Sequence, residues 1–211
     1  MLIDQTISAF TDELASNSPA PGGGSIAALA GALGAALASM VCRLTVTKKK
    51  YANVRVELES VCERSESYRA ELTALIDEDT EAFTAVMNAY GLPKESEEEK
   101  ALRARAITHA MKEAVRVPLQ VMHLCAEVAS LMSTVEQKGN VNSVTDAGVG
   151  ALLIEAASRG AAFNVKVNLG AINDPDFCSE VAQAMHRLEE TTTRTTREIL
   201  ARVENKLTPQ H

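Results

Sequence analysis

The stretch "VRVELESVCERSESYRAELTALIDEDTEAFTAVMNAY", residues 54–90, decides the fold. Along it Val54, Leu58, Val61, Ser65, Tyr68, Leu72, Leu75, Asp79, Phe83, Val86 and Tyr90 recur at steps of four and three. That spacing draws one stripe down the side of an α-helix. The stripe predicts a single helix of about ten turns, which Gly91 and Pro93 bring to an end. A rod of that length buries its stripe only against other long rods, which points to a helical bundle.

The flanking sequence supplies those rods. Apolar residues at Ile3, Ile7, Phe10 and Leu14 predict a helix over Ile3–Ser16. The breaker-rich "ASNSPAPGGG" separates it from a second helix over about Ser25–Thr47. A fourth helix is read over about Glu95–Glu136, with a kink or break at Pro118. A fifth follows over about Val144–Gly160, reaching toward Ala171, and a sixth runs from "NDP" to about Lys206. "NVKVNL" (164–169) alternates like a short strand but stands alone. Connections are short and no composition shift marks a linker. The expected architecture is all-α: one domain over residues 1–211, an up-and-down bundle of about six helices with a Gly-rich loop before the second.

Composition agrees. Aromatics are 3% and Trp is absent, so Ala, Leu, Val and Met must build the core, which favours closely packed helices. The net charge of −7 opposes a nucleic-acid partner, with Lys48–Lys50 the local exception. Ile26–Cys42 carries no charge, but it is Ala- and Gly-rich and short for a bilayer, so it reads as a core helix of a soluble protein. Small residues such as Gly31 and Gly34 there allow another helix close approach. Cys42, Cys62, Cys125 and Cys178 are widely spaced and read as small buried hydrophobes of a reducing compartment, not as a metal site. The N-terminus lacks a signal-peptide pattern, so the expected location is the cytoplasm.

Several residues carry candidate chemistry. Asp79 interrupts the apolar stripe, and an unpaired buried carboxylate is strongly disfavoured. It needs a cationic or donor partner, or the stripe faces a cavity there. Ser65 is readily buried by bonding one turn back. Asp77 and Glu78, off the stripe, are expected at the surface. The turn Gly22-Gly23-Gly24-Ser25 precedes a helix, so its free amides suit an anion, and Ser25 suits an N-cap. It lacks the Lys of a phosphate loop and the preceding strand of a dinucleotide fingerprint. Asn140, Asn142, Ser143 and Asp146 gather at a helix start, where Ser143 and Asp146 resemble a capping box. Asn164 and Asn168 share a helix face. Asp146 and Asn164 are separated by about 27 Å on one straight helix, so they cannot both touch one reacting atom from the same chain; if both are functional they serve opposite ends of a long ligand or separate sites across a subunit interface. His109, His123, His186 and His211 form no triad with a nucleophile, and the acidic run 95–99 complements a helix dipole.

In order along the chain stand "SPAPGGGSIAALAGALGAALASMVCRLTVTKKKY", "LIDEDTEAF", "YGLPK" with "EEK", "VPL", "GNVNSVTDAGVGA" and "AAFNVKVNL". Together they resemble the formiminotetrahydrofolate cyclodeaminase / methenyltetrahydrofolate cyclohydrolase family, over about residues 4–205. The resemblance implies an all-α homodimer acting on a tetrahydrofolate-bound one-carbon group without metal or prosthetic group. "TKKKY" (47–51) and "TDAGVG" look more like the stand-alone bacterial cyclohydrolases, so hydrolysis of 5,10-methenyltetrahydrofolate to 10-formyltetrahydrofolate is favoured. Cyclisation of 5-formiminotetrahydrofolate with release of ammonia is the alternative, and a non-catalytic folate-binding dimer is the second. On this reading Asp79 stabilises the methenyl cation, and Asp79 or Asp146 activates water. Lys48, Lys49, Lys50, the Gly22–Gly24 amides with Ser25, or Lys94 hold the anionic tail, and Asn140, Asn164 and Asn168 bind the substrate.

Overall fold

A computed structural model describes residues 1–208. Six α-helices follow in order: α1 Ile7–Leu14, α2 Gly23–Val46, α3 Arg55–Tyr90, α4 Glu97–Lys138, α5 Val144–Leu169 and α6 Pro175–Leu207. Three short 3₁₀ turns intervene, at Leu2–Asp4, Lys49–Val54 and Val141–Ser143, and no strand occurs among the described residues. The stripe on α3 is therefore read correctly as one continuous helix. Residues 164–169 are the last turns of α5.

α2 is the central rod, packed against α3, α4 and α5, while α6 closes the bundle against α4 and α5. Its small residues make this possible. A Cβ on Gly31 would lie 3.1 Å from Leu72 of α3 and 3.2 Å from Cys125 of α4. One on Gly34 would lie 2.6 Å from Ile154 of α5. Gly23 also faces Asn164, and Gly160 faces Ala27, so α2 and α5 run antiparallel along their length. α2 is long and apolar enough to cross a membrane by composition, yet 61% of that apolar window is buried inside the bundle. The remaining core is Leu, Ile, Val, Met and Ala from all the long helices. Cys42 and Cys125 are buried in it, Cys62 and Cys178 are half-buried, and all four are free.

The structure departs from the sequence reading at several points. The first predicted helix divides into the turn Leu2–Asp4 and the eight-residue α1, which buries only Phe10. α4 runs uninterrupted through Pro118, which is buried. Packing on both sides of the proline outweighs the one lost backbone bond. Asp77 is buried rather than at the surface; its Oδ1 accepts the Leu2 N–H at 2.6 Å and ties the N-terminal turn to α3. Glu78 is exposed as expected. Ser143 precedes α5 but makes no side-chain cap bond, so the expected box with Asp146 does not form. A full capping box forms instead at α4, between Ser96 and Glu99 of the acidic run.

The C-terminal end of α6 is locked to α4 by charge. The Glu136 carboxylate is fully buried. Arg202 Nε donates to Oε2 at 2.5 Å, and Lys206 Nζ lies 2.7 Å from Oε1 and donates to the Glu136 carbonyl at 2.8 Å. Removing one partner strands a buried carboxylate. Arg202→Ala is expected to cost about 3 kcal/mol in chemical denaturation, near the lower end for broken buried pairs because Lys206 remains. An unchanged denaturation midpoint would mean that solvent already screens the pair.

Candidate active site

The lower part of the α3 stripe does not enter the core. Phe83 and Tyr90 are exposed and Val86 is half-buried, although all three continue the helical spacing. They wall a cavity of about 400 Å³ between α2, α3, α4 and α5. The Pro19–Gly24 turn, Asp79, Thr80, Met111, Ala114, Asn164 and Asn168 complete its lining. The hairpin between α3 and α4 holds Tyr90 in place: Arg103 donates to the Tyr90 carbonyl at 3.0 Å, and its guanidinium lies 5.6 Å from the ring centre.

Asp79 meets the start of α2 in this cavity. Gly22, not Ser25, is the N-cap residue, and it has no side chain to satisfy the first-turn amides. The Asp79 carboxylate reaches across from α3 to this turn and packs against Gly24. Ser25 Oγ donates to Asp79 Oδ2 at 2.9 Å, and the Ser25 backbone amide beside it also favours the ionised carboxylate. Thr80 Oγ1 stands 3.5 Å from Ser25 Oγ. Gly24 is the residue that allows the approach. A Cβ there would lie 2.6 Å from Asp79 Cγ, so any side chain would collide with the carboxylate.

Asp79 forms no ion pair among the described residues; its hydrogen-bond donor is the Ser25 hydroxyl. Burial raises its pKa above the ordinary carboxylate value, and the Ser25 hydroxyl and backbone amide oppose that rise only in part. Of the two sequence readings, the structural ion pair is thus replaced by a carboxylate facing a cavity. Such an arrangement can accept a proton from water, or stabilise a cationic ligand, near neutral pH.

The other expected site residues divide between the two ends of the bundle. Gly22, Gly23, Gly24, Ser25, Asp79, Asn164 and Asn168 come together. The Asn164 and Asn168 amide groups are tied down, to the Gly160 carbonyl at 3.0 Å and the Ala114 carbonyl at 2.8 Å. Asp146 sits at the opposite end of α5, outside the cavity. Lys48, Lys49 and Lys50 follow the far end of α2, whose 24 residues span about 36 Å. Asn140 is beside them: its Oδ1 accepts the Asn142 N–H, and its own N–H reaches Thr45. That is the geometry of a structural turn. Lys94 lies exposed in the loop after α3. His109, His123 and His186 are exposed on their helices, and His211 lies outside the described residues. The cavity walls Phe83, Val86, Tyr90 and Thr80 were not singled out from sequence, although three of them stand in the α3 stripe beyond its polar interruption.

Residues 6–187 match the family described as Formiminotransferase-cyclodeaminase. The chain belongs to this family. It is 51% identical over 177 residues to a methenyltetrahydrofolate cyclohydrolase of Methylorubrum extorquens, an alignment covering 84% of this chain and 85% of that one. It is 36% identical over 176 residues to the formimidoyltransferase-cyclodeaminase of Rattus norvegicus, covering 83% of this chain but 32% of the longer rat protein. A solved formiminotetrahydrofolate cyclodeaminase from Thermotoga maritima superposes with a TM-score of 0.89 at 30% identity, covering 99% of this chain and all of that one. The helical bundle is therefore a fold shared with that solved cyclodeaminase.

Proposed function

We propose that this chain hydrolyses 5,10-methenyltetrahydrofolate to 10-formyltetrahydrofolate, as a cytoplasmic homodimer needing neither metal nor prosthetic group. The observation that carries the reaction is Asp79: a desolvated carboxylate on a cavity wall, held by Ser25 and with no cationic partner among the described residues. The 51% identity to a cyclohydrolase favours this substrate over others of the family.

The chemistry follows from the cavity. The methenyl bridge is a delocalised cation between two nitrogens. A fixed carboxylate beside it replaces the water that would otherwise solvate that charge. Phe83 and Tyr90 offer apolar faces to a flat ring system. Water attacks the bridging carbon as Asp79 takes one of its protons. The bond from that carbon to N5 then breaks, N5 accepts a proton, and the carbon remains on N10 as a formyl group. One proton is released overall. The glycine turn already receives a carboxylate from the protein itself, so it suits the cationic bridge better than the anionic tail. Lys48–Lys50 are too distant in the same chain to hold that tail.

Loss of the methenyl chromophore on adding the protein, against a buffer control, tests this reading directly. A flat trace with tight folate binding would leave a binding protein. Ammonia release from 5-formiminotetrahydrofolate tests the second reading, which the Thermotoga maritima likeness and the rat relative support.

The pH profile offers an independent check. Asp79 works only when ionised, and its pKa is raised by burial. The acid limb of kcat/KM is therefore expected above the ordinary carboxylate range, with activity falling as pH drops through it. Ser25 holds that pKa down, so Ser25→Ala is expected to move the limb to still higher pH. A limb that stays in place in Ser25→Ala would assign it to another group.

A further inference from the structure

α4 continues through Pro118, and a proline inside a helix leaves one carbonyl without its usual partner. That carbonyl belongs to Ala114, four positions earlier, because Pro118 has no N–H to give it. The donor comes instead from another helix. Asn168 Nδ2, on α5, donates to the Ala114 carbonyl at 2.8 Å. Ala114 and Asn168 both line the cavity that holds Asp79.

This bond fixes which way round the Asn168 amide sits. A carbonyl oxygen only accepts, so only the NH₂ side of Asn168 can face Ala114. Its Oδ1 is turned away from Ala114 and takes no hydrogen bond from the described residues. Asn164, one turn earlier on the same face, is held in the same sense: its Nδ2 donates to the Gly160 carbonyl at 3.0 Å, and its Oδ1 is left over. Neither oxygen is sealed in the core. The acceptors also have an order. Gly24 faces Asp79, the preceding Gly23 faces Asn164, and Asn168 stands a further turn along α5, about 6 Å on. No Lys, Arg or His lines the cavity.

We propose that Pro118 is a positioning residue of this site, and that Asn168, held by the carbonyl Pro118 frees, selects the 2-amino group of the substrate's pterin ring. The proposal rests on the hydrolysis proposed above. With the cationic bridge at Asp79, the far end of the pterin lies toward Asn168. That end carries N–H donors, the 2-amino group and the ring N3–H, and donors call for acceptors. A freely turning asparagine would offer its NH₂ as readily as its oxygen. One turned by Ala114 offers the oxygen, and a ring without the amino group leaves that oxygen unpaired.

Calorimetric titration of the full chain with tetrahydrofolate and with its 2-desamino analogue tests the assignment, beside methenyl hydrolysis. The wild type is expected to bind the analogue about tenfold more weakly, the loss of one hydrogen bond. Asn168→Ala is expected to bind tetrahydrofolate about tenfold more weakly and to lose the discrimination. Pro118→Ala restores the missing N–H, returns the Ala114 carbonyl to α4 and releases the Asn168 amide. It is expected to bind about fivefold more weakly, to discriminate less, and to melt no lower than the wild type. Pro118→Ala/Asn168→Ala should bind at most about twofold more weakly than Asn168→Ala, since both changes remove the same contact. The double variant leaves no carbonyl stranded, so it reports even where Asn168→Ala fails to fold; it is then read against Pro118→Ala, beyond which independent losses would add about tenfold. Losses that multiply to about fiftyfold, or a Pro118→Ala variant that binds as the wild type does, would uncouple Pro118 from Asn168 and overturn the proposal. Equal wild-type affinity for the two ligands would overturn the choice of the amino group. A wild type that binds and discriminates as expected but leaves the methenyl chromophore intact keeps the Pro118–Asn168 pair and removes the hydrolysis. One that hydrolyses without the coupling removes only the pair.

Discussion

Asp79→Asn is expected to lower kcat for methenyl hydrolysis by about 10²–10⁴-fold, the range for loss of a positioned general base. Asn keeps the shape and still accepts the Ser25 hydroxyl at the Oδ2 position. What it lacks is the charge beside the cationic bridge and the capacity to take a proton from water. Stability should move the other way, or not at all. In the folded chain burial raises the Asp79 pKa, so folding favours its protonated form. That contribution is fully present below the unfolded carboxylate pKa and is lost as pH rises through the raised folded value. At neutral pH the native chain therefore bears a desolvated charge that Asn does not carry. Thermal melts of Asp79→Asn at neutral pH should show a midpoint equal to or above the wild type, with the difference closing in acid. Lost activity together with a lowered midpoint would point to a structural role. Unchanged turnover in a well-folded variant would remove Asp79 from the chemistry.

Gly24→Ala is the second large effect, and it separates helix stability from catalysis. Ala is a better helix residue than Gly by about 1 kcal/mol, so on propensity alone the substitution strengthens the first turn of α2. Its Cβ, however, would lie 2.6 Å from Asp79 Cγ and forces the carboxylate off the Ser25 hydroxyl. Asp79 has only two side-chain torsions with which to yield. A displacement of about 1 Å at a catalytic group costs about 10²-fold in rate. Gly24→Ala should therefore retain its helical signal and its unfolding free energy to within about 1 kcal/mol while kcat drops about 10²-fold. The adjacent Gly23→Ala makes a useful control, because a Cβ there meets only Asn164 Nδ2, at an ordinary 3.7 Å. If both variants kept full activity, the close seating of Asp79 on the glycine turn would have no catalytic consequence.

These two residues also show how far the sequence could be read. Asp79 stood out as the one carboxylate in a helical stripe that is apolar but for Ser65, and the burial cost of its charge called for a partner or a cavity. Gly24 stood out only as one of three glycines. The need for a glycine there comes from a side chain 55 residues away on another helix, and no local pattern contains that distance. Phe83, Val86 and Tyr90 were legible as helix-face residues but not as cavity wall. The same spacing describes both, and the difference lies in whether another helix covers them. Asp146 and Lys48–Lys50 were read as site residues from their motifs; the lengths of α5 and α2 carry them to the far end of the bundle.

The sequence by itself determined the helical class, the number of helices and nearly all their boundaries, since period, breakers and caps are local properties of the chain. It also determined which helices could pack closely, through the small residues of α2. The tertiary structure alone decided that Asp79 meets the glycine turn rather than a cation, that Asp77 is buried under Leu2, and that Asn168 takes up the Ala114 carbonyl. Each of these is set by which rods become neighbours and in what register, and that choice is made by the packing of the whole bundle.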